Sequence, residues 1–343
     1  MAKKNSGSLR SYLLVRLLLV LPMVLILLTF VFLLMRVAPG DPIQAALGGK
    51  LSPAQLAARR AAAGYDRPLI VQYGEYLRQV ITGNFGTTIT DHRPVIDVVK
   101  TSGAATLELT VGALVVAIIV GVPVGLLCGR YRDTWFDASG RTFGVVIYAA
   151  PVFLTGLLAQ LIFGKDLGWL PTSGQASPLT QAFLQTHSNF LLIDTIIDGN
   201  TAAFWDVFKH LILPATTLGL LLSGVFIRLV RVNVIQTLRH DYIEAARARG
   251  INEPRVVFRH AFRNALVPVI TVMGLQAALL LSGAVLTEET FNWPGIGHAL
   301  IDYLNNRDYI AVQGIITVFA LAVVVISLLI DFINAWADPR MRY

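Results

Sequence analysis

The sequence predicts an all-α membrane protein with six transmembrane helices, and three observations carry that fold class. The 343 residues are 55% apolar and only 14% charged, whereas soluble domains run to roughly 45–50% apolar and about 25% charged. The apolar excess sits in a few uncharged runs and is not spread along the chain. Between the runs, lysine and arginine fall unequally on alternate segments, as they do when a chain crosses a bilayer repeatedly.

A helix rises about 1.5 Å per residue, so about 20 residues cross a hydrocarbon core of about 30 Å. Leu17–Met35 is the first run. It is longer than a signal-peptide core and is followed by "RVAPGDP", not by a small-residue cleavage site, so it is expected to stay as a span. Two short helices are expected next. Ser52-Pro53 offers a cap and a first-turn proline ahead of "AQLAARRAAAG", and "RPLIVQYGEYLRQV" is amphipathic, suited to the membrane surface.

Leu109–Gly129 is the second span. Its "GVPVG" at Gly121–Gly125 has the small-residue spacing of close helix packing, and the single cysteine, Cys128, reads as a small apolar packing residue. Thr142–Gly164 is the third. The uncharged run Leu167–Ile193 contains "GWLPTSGQASP", which cannot satisfy its backbone in lipid and is expected to be a loop. Leu211–Ile227 is the shortest span, extended by Lys209 and His210, whose heads can reach towards the headgroups. Asn264–Thr287 and Tyr309–Ile330 complete the six.

Orientation follows from charge. Of the 28 Lys and Arg, 17 lie in the N-terminus, Arg130–Arg141, Arg228–Arg263 and the C-terminus. The other 11 are spread over nearly twice the length, in Arg36–Gly103, Lys165–Lys209 and Glu288–Asp308. The positive-inside rule therefore predicts that both termini and the 228–263 loop are cytoplasmic.

That loop contains "HDYIEAARARGINEP". Asp241 and Glu244 have the spacing of a capping-box variant, in which Asp241 takes free backbone N–H groups and Glu244 reaches back to the cap. Gly250 stands where a helix ends in a left-handed residue. Asn252 restarts a helix, with Pro254 near its first turn. The expected geometry is helix, sharp turn, helix. Such a pair can bind anionic lipid as a plain connector, read DNA as a helix-turn-helix, or serve as a docking element for a cytoplasmic partner. Spans close to either end hold it against the bilayer and argue against DNA.

The stretch "EAARARG" resembles the EAA-x-x-x-G signature of permease subunits of binding-protein-dependent ABC importers, and the likeness runs on through "HAFRNALVPVI". "RVAPGDP" after the first span, "GNFGTT" and "RPV" before the second, "GWLPTSG" after the third and "FNWPGIG" after the fifth resemble the dipeptide/oligopeptide subgroup, in order along nearly the whole chain. There are two departures. Ala104-Ala105-Thr106 stands where relatives often have a proline, and the loop Lys165–Lys209 is long and carries "NFLLIDTIIDGN".

The resemblance implies the type I ABC importer permease fold, with a coupling helix between spans four and five. It divides the chain into an N-terminus and first span (1–36), an external region (37–103), a core permease (104–336) and a tail (337–343). It implies that Asp241, Glu244, Ala245, Ala246, Gly250 and Asn252 form the contact with an ATPase. The residues themselves agree: Ala245 and Ala246 are expected to give a thin surface, and Arg247, Arg249, Arg255 and Arg259 to be solvated or lipid-facing. Asp41, Trp293, Pro294 and Gly295 are expected to shape an outer gate. The implied partners are a second, related permease, two cytoplasmic ATP-binding subunits that carry ATP and Mg, an external solute-binding protein, and membrane lipid; no nucleic acid is implied. The cargo is expected to be peptide, with glutathione, nickel complexes or haem as alternatives. No cofactor or metal is expected in this chain itself. It has no G-x-x-x-x-G-K-[ST], G-x-S-x-G or H-E-x-x-H, so neither its own nucleotide site nor an enzyme is expected. The runs hold no Asp, Glu, Lys or Arg, which counts against the other transport class, a proton-driven secondary transporter.

Overall fold

A computed structural model describes residues 9–37, 52, 54–55, 57 and 66–337. Among these the regular structure is helical, apart from one isolated bridge between Thr87 and Pro94. Among the described residues four helices are each long and apolar enough to cross a membrane, and two bent pairs raise the total to as many as six.

The first helix, α1 (Leu9–Val37), extends the first run at both ends. Further on, Ser52 Oγ accepts from the Gln55 N–H and Gln55 Oε1 from the Ser52 N–H, a reciprocal capping box at the predicted helix start. The amphipathic stretch forms α2 (Leu69–Ile81). The second span is α3 (Val95–Arg130), which begins well before its apolar run and so takes Glu108 inside the helix.

The third run is not one straight helix. It divides into α4 (Trp135–Ala149) and α5 (Val152–Ala159), the latter continued by a π-helical turn at Gln160–Asp166, with a 98° bend between the two arms. Pro151 is the cause. It has no N–H to donate and pushes Ala150 out of the helical region, to φ −71 and ψ 132. The following loop contains α6 (Pro178–Phe183) and α7 (Leu191–Ile197). The shortest predicted span becomes α8 (Thr201–Thr237), a helix of 37 residues. After it come α9 (Asp241–Ala248), α10 (Glu253–Arg255), a π-turn at Val256–Ala261, and α11 (Phe262–Gly283). Three helices finish the described chain: α12 (Val285–Thr290), α13 (Ile296–Asn305) and α14 (Tyr309–Ala337).

The chain divides into two units, one from Met1–Gly103 with His298–Tyr343, the other from Ala104–Gly297. In the first, α2 turns Tyr76, Tyr73, Leu77 and Val80 onto Leu28 and Phe32 of α1, and the Tyr76 hydroxyl meets Thr317 of α14 at 2.7 Å. Asp308, fully buried, caps α14 by accepting the Ala311 N–H at 3.0 Å. Its other oxygen accepts the Ile89 and Thr90 N–H groups, fastening the turn around Thr88–Arg93.

In the second unit α3 lies directly on α8. A Cβ on Gly121, Gly125 or Gly129 would stand 2.7, 2.8 and 2.8 Å from atoms of α8, and one on Gly219 would meet the Ala113 carbonyl oxygen at 2.5 Å. The "GVPVG" spacing thus serves close packing. Cys128 is buried beside Gly140 of α4, a small residue at a tight crossing. Glu108 pins the long loop: it accepts Gln175 Nε2 at 2.5 Å and the Leu192 N–H at 2.9 Å.

Candidate functional site

The segment that follows α8 is a helical hairpin with its own small core. Ile243 and Ala246 of α9 pack against Val256 and Ala261, with Leu238 and Ile251 at the edges. The turn between the arms is a Schellman motif. Gly250 sits at φ +78, its N–H donates to the Arg247 carbonyl at 2.9 Å, and the Ile251 N–H reaches back to the Ala246 carbonyl at 3.3 Å. A Cβ on Gly250 would meet nothing within 4 Å, so glycine is required here for backbone conformation and not for space. Asn252 then leads into α10 at φ −65, ψ 146, with proline in the first turn.

Three expectations about this segment change. Asp241 does not cap. The helix starts one residue earlier in register, after His240, which carries no side-chain cap bond; its carbonyl accepts from Ile243 and Glu244 instead. Asp241 is therefore the first helical residue, and the capping box cannot close. Both carboxylates still lie in the first turn, where the helix dipole favours negative charge. Secondly, Ala246 is buried at 7% exposure, so of the alanine pair only Ala245 faces outward. Thirdly, Arg247 is not simply solvated. Its Nε and Nη2 donate to the two carboxylate oxygens of Glu253 at 3.0 and 2.6 Å, a two-pronged clasp across the Gly250 turn.

The exposed residues left over on α9 and its cap are Asp241, Tyr242, Glu244 and Ala245, followed by Arg247, Ala248 and Arg249. They form a rigid knuckle with a flat side at Ala245 and two carboxylates at its start. Such a face presents a defined shape, with carboxylates at one end and guanidinium groups at the other.

The second predicted cluster lies at the other end of α11. Trp293 is fully buried, and its Nε1 donates to the Ala105 carbonyl at 2.9 Å. The departure Ala104-Ala105-Thr106 is thus a seat for the "FNWPGIG" turn, the small alanines leaving room for the indole. The Thr106 hydroxyl donates to Glu288 at 2.6 Å and accepts the Ile296 N–H at 2.9 Å. Gly295 faces the Glu288 carboxylate so closely that any Cβ would overlap it. Pro294 lies in the turn between them; Asp41 lies outside the described residues.

The sequence reading missed the buried pair that fastens α4 to α8. Arg231 Nε and Nη2 donate to the two oxygens of Asp137 at 2.6 and 2.7 Å, and Asp137 has no exposed surface. Glu108 and Glu288 were missed for the same reason: each flanks an apolar run, and its burial is decided by partners distant in sequence.

Comparison with known proteins agrees with this architecture. The family described as binding-protein-dependent transport system inner membrane component matches residues 121–343, and its N-terminal membrane component matches residues 9–110. The chain is 37% identical to the dipeptide transport system permease protein DppB of Alkalihalophilus pseudofirmus, across 97% of this chain and 99% of that protein. It is 39% identical to the di/tripeptide transport system permease protein DppB of Pseudomonas aeruginosa, across 91% and 93%. It is also 35% identical to the glutathione transport system permease protein GsiC of Salmonella choleraesuis, across 97% and 99%. The chain belongs to the family of binding-protein-dependent transport system inner membrane components, as a multi-pass permease subunit of the bacterial inner membrane.

Proposed function

We propose that this permease is one half of the pore of a type I ABC importer for peptides, driven through the 241–261 hairpin. A second, related permease forms the other half, two cytoplasmic subunits bind ATP and Mg, and an external binding protein delivers the cargo. The observation that carries the reading is the construction of the hairpin: its own core, a left-handed glycine and the Arg247–Glu253 clasp make it a stiff lever joined to α8 at one end and α11 at the other. A force on Glu244 and Ala245 reaches both helices without being absorbed in a flexible loop. Asp241, Gly250 and Asn252 set its angle; Ala246 holds its inside together.

The charge distribution supports six spans with both termini and the hairpin in the cytoplasm. Trp293, Pro294 and Gly295 shape the outer gate, the indole tying the turn after α12 to α3; Asp41 is assigned to the same gate from the sequence alone. Selection among dipeptides, oligopeptides, glutathione, nickel complexes or haem lies largely with the binding protein. Peptide is favoured because two of the relatives quoted above are named for di- or tripeptide transport.

The test is uptake by proteoliposomes holding the complete complex. ATP-dependent accumulation of labelled dipeptide that requires the binding protein is expected. Gly250→Leu places a β-substituted residue at φ +78, at a cost of about 1–2 kcal/mol. It should leave the complex assembled while lowering ATPase stimulation and uptake together. Wild-type coupling in that variant removes the lever, and uptake that persists without ATP removes the importer class.

A further inference from the structure

Between α4 and α8 runs a groove of about 610 Å³ for which the transport reading provides no occupant. Its walls are Gly144, Val145, Tyr148 and Ala149 on one side and Gly224, Val225 and Ile227 on the other, and one end carries Arg141, Arg228 and Arg231. The helices are antiparallel here, joined by Asp137–Arg231 at the charged end and brought together at Gly144 and Gly224 further along. Glycine on both helices leaves the floor without side chains. From Arg141 to Ala149 the groove extends about 12 Å along α4. Val145 and Tyr148 are 68% and 59% exposed, so the trough opens sideways towards its surroundings.

The charges at its mouth do not balance. Asp137 is committed to Arg231 through both oxygens and also accepts the Asp133 N–H. Arg141 stands 3.6 Å from the same carboxylate with its side chain 54% exposed. Arg228 is exposed and, among the described residues, has no ion pair. Three guanidinium groups therefore face one carboxylate at the end of an uncharged trough.

We propose that this groove binds an anionic glycerophospholipid, its phosphate between Arg141 and Arg228 and one acyl chain along Val145, Tyr148 and Val225. A zwitterionic lipid matches the trough but not the charge. An apolar helix of another subunit would bury the net positive charge of this cluster without compensation, which is costly in a low dielectric. The site goes beyond the transport reading and does not depend on the cargo.

The test uses the complete complex in nanodiscs of mixed phosphatidylglycerol and phosphatidylcholine. Native mass spectrometry then counts retained lipid, and a phosphatidylglycerol with a photoreactive acyl chain maps its position. Retention of phosphatidylglycerol over phosphatidylcholine is expected, with label on the α4 and α8 walls. Arg141→Gln with Arg228→Gln should weaken retention about 30-fold, as expected for two cations near a membrane surface. Val145→Trp, at an exposed wall position, should fill the trough and lose the label while both arginines remain. Equal retention of the two lipids, an unchanged double variant, label confined to other helices, or cross-links from the groove to a second polypeptide would each overturn the proposal.

Discussion

Asp91 shows how far one side chain's neighbours decide its behaviour. Burial raises its carboxyl, but hydroxyls donated by Thr88 and Tyr303 and the charge of Arg93 outweigh that and hold it below the ordinary carboxylate range. Tyr303, in turn, is pushed up to about 12 by burial and by its bond to Asp91. A carboxyl depressed in the folded state adds stability that is complete above its unfolded value of about 3.8 and fades as the pH falls through the folded one. Hydrogen exchange of the Thr88 and Arg93 amides, corrected for intrinsic rates, should therefore lose protection only below that value, and Asp91→Asn should lose it at every pH. Protection that ignores pH in the wild type would refute this. At this scale the sequence is legible where the rule is local. Ser52 with Gln55, and Gly250 as a left-handed stop, follow from neighbours a few residues away. Which alanine of a pair faces inward, and that Arg247 clasps Glu253, depend on the helix register, and a one-residue shift at His240 was enough to change Asp241 from cap to first turn.

Helices were legible as apolar runs, but their ends and bends were not. Hydropathy sees only the stretch that lipid would cover, so α3 and α8 extend well past it, stabilised by packing on protein. It is equally blind to Pro151, whose missing N–H matters less to an average over 20 residues than to one turn of backbone. The Asp137–Arg231 pair belongs to this scale, because it fixes how α4 lies on α8. Arg231→Ala leaves the fully buried carboxylate of Asp137 with only the Asp133 N–H and the longer 3.6 Å contact to Arg141, and should cost towards the lower end of about 3–5 kcal/mol. Asp137→Leu combined with Arg231→Met removes both charges and should cost much less. Thermal unfolding of the purified protein in detergent separates the two cases: equal losses would mean that the pair contributes only bulk.

Across the whole molecule, the ordered motifs made the family legible, since no single one needs the others by chance. The sidedness rests on charge alone and is open to direct measurement. Cys128 is buried and the chain has no other cysteine, so a new thiol reports its own position. Thr186→Cys, exposed in the loop after α6, should react with an impermeant maleimide in intact spheroplasts, whereas Ala245→Cys should react only after the membrane is opened. The reverse pattern would invert the topology. The loop's attachment through Glu108 was hidden from the sequence because its partners, Gln175 and Leu192, come from a segment with no periodicity to read.

Where α3 meets α8, glycines leave backbone against side-chain roots with no flexible layer between. Ordinary helix pairs slide by letting long side chains change rotamer, and at Gly121, Gly125, Gly129 and Gly219 this pair meets backbone and side-chain roots that cannot give way so. Displacing one therefore drags the other, so the pair travels as a single strut. A working cycle must find its give elsewhere, and the 98° elbow at Pro151 is a break the backbone already holds open.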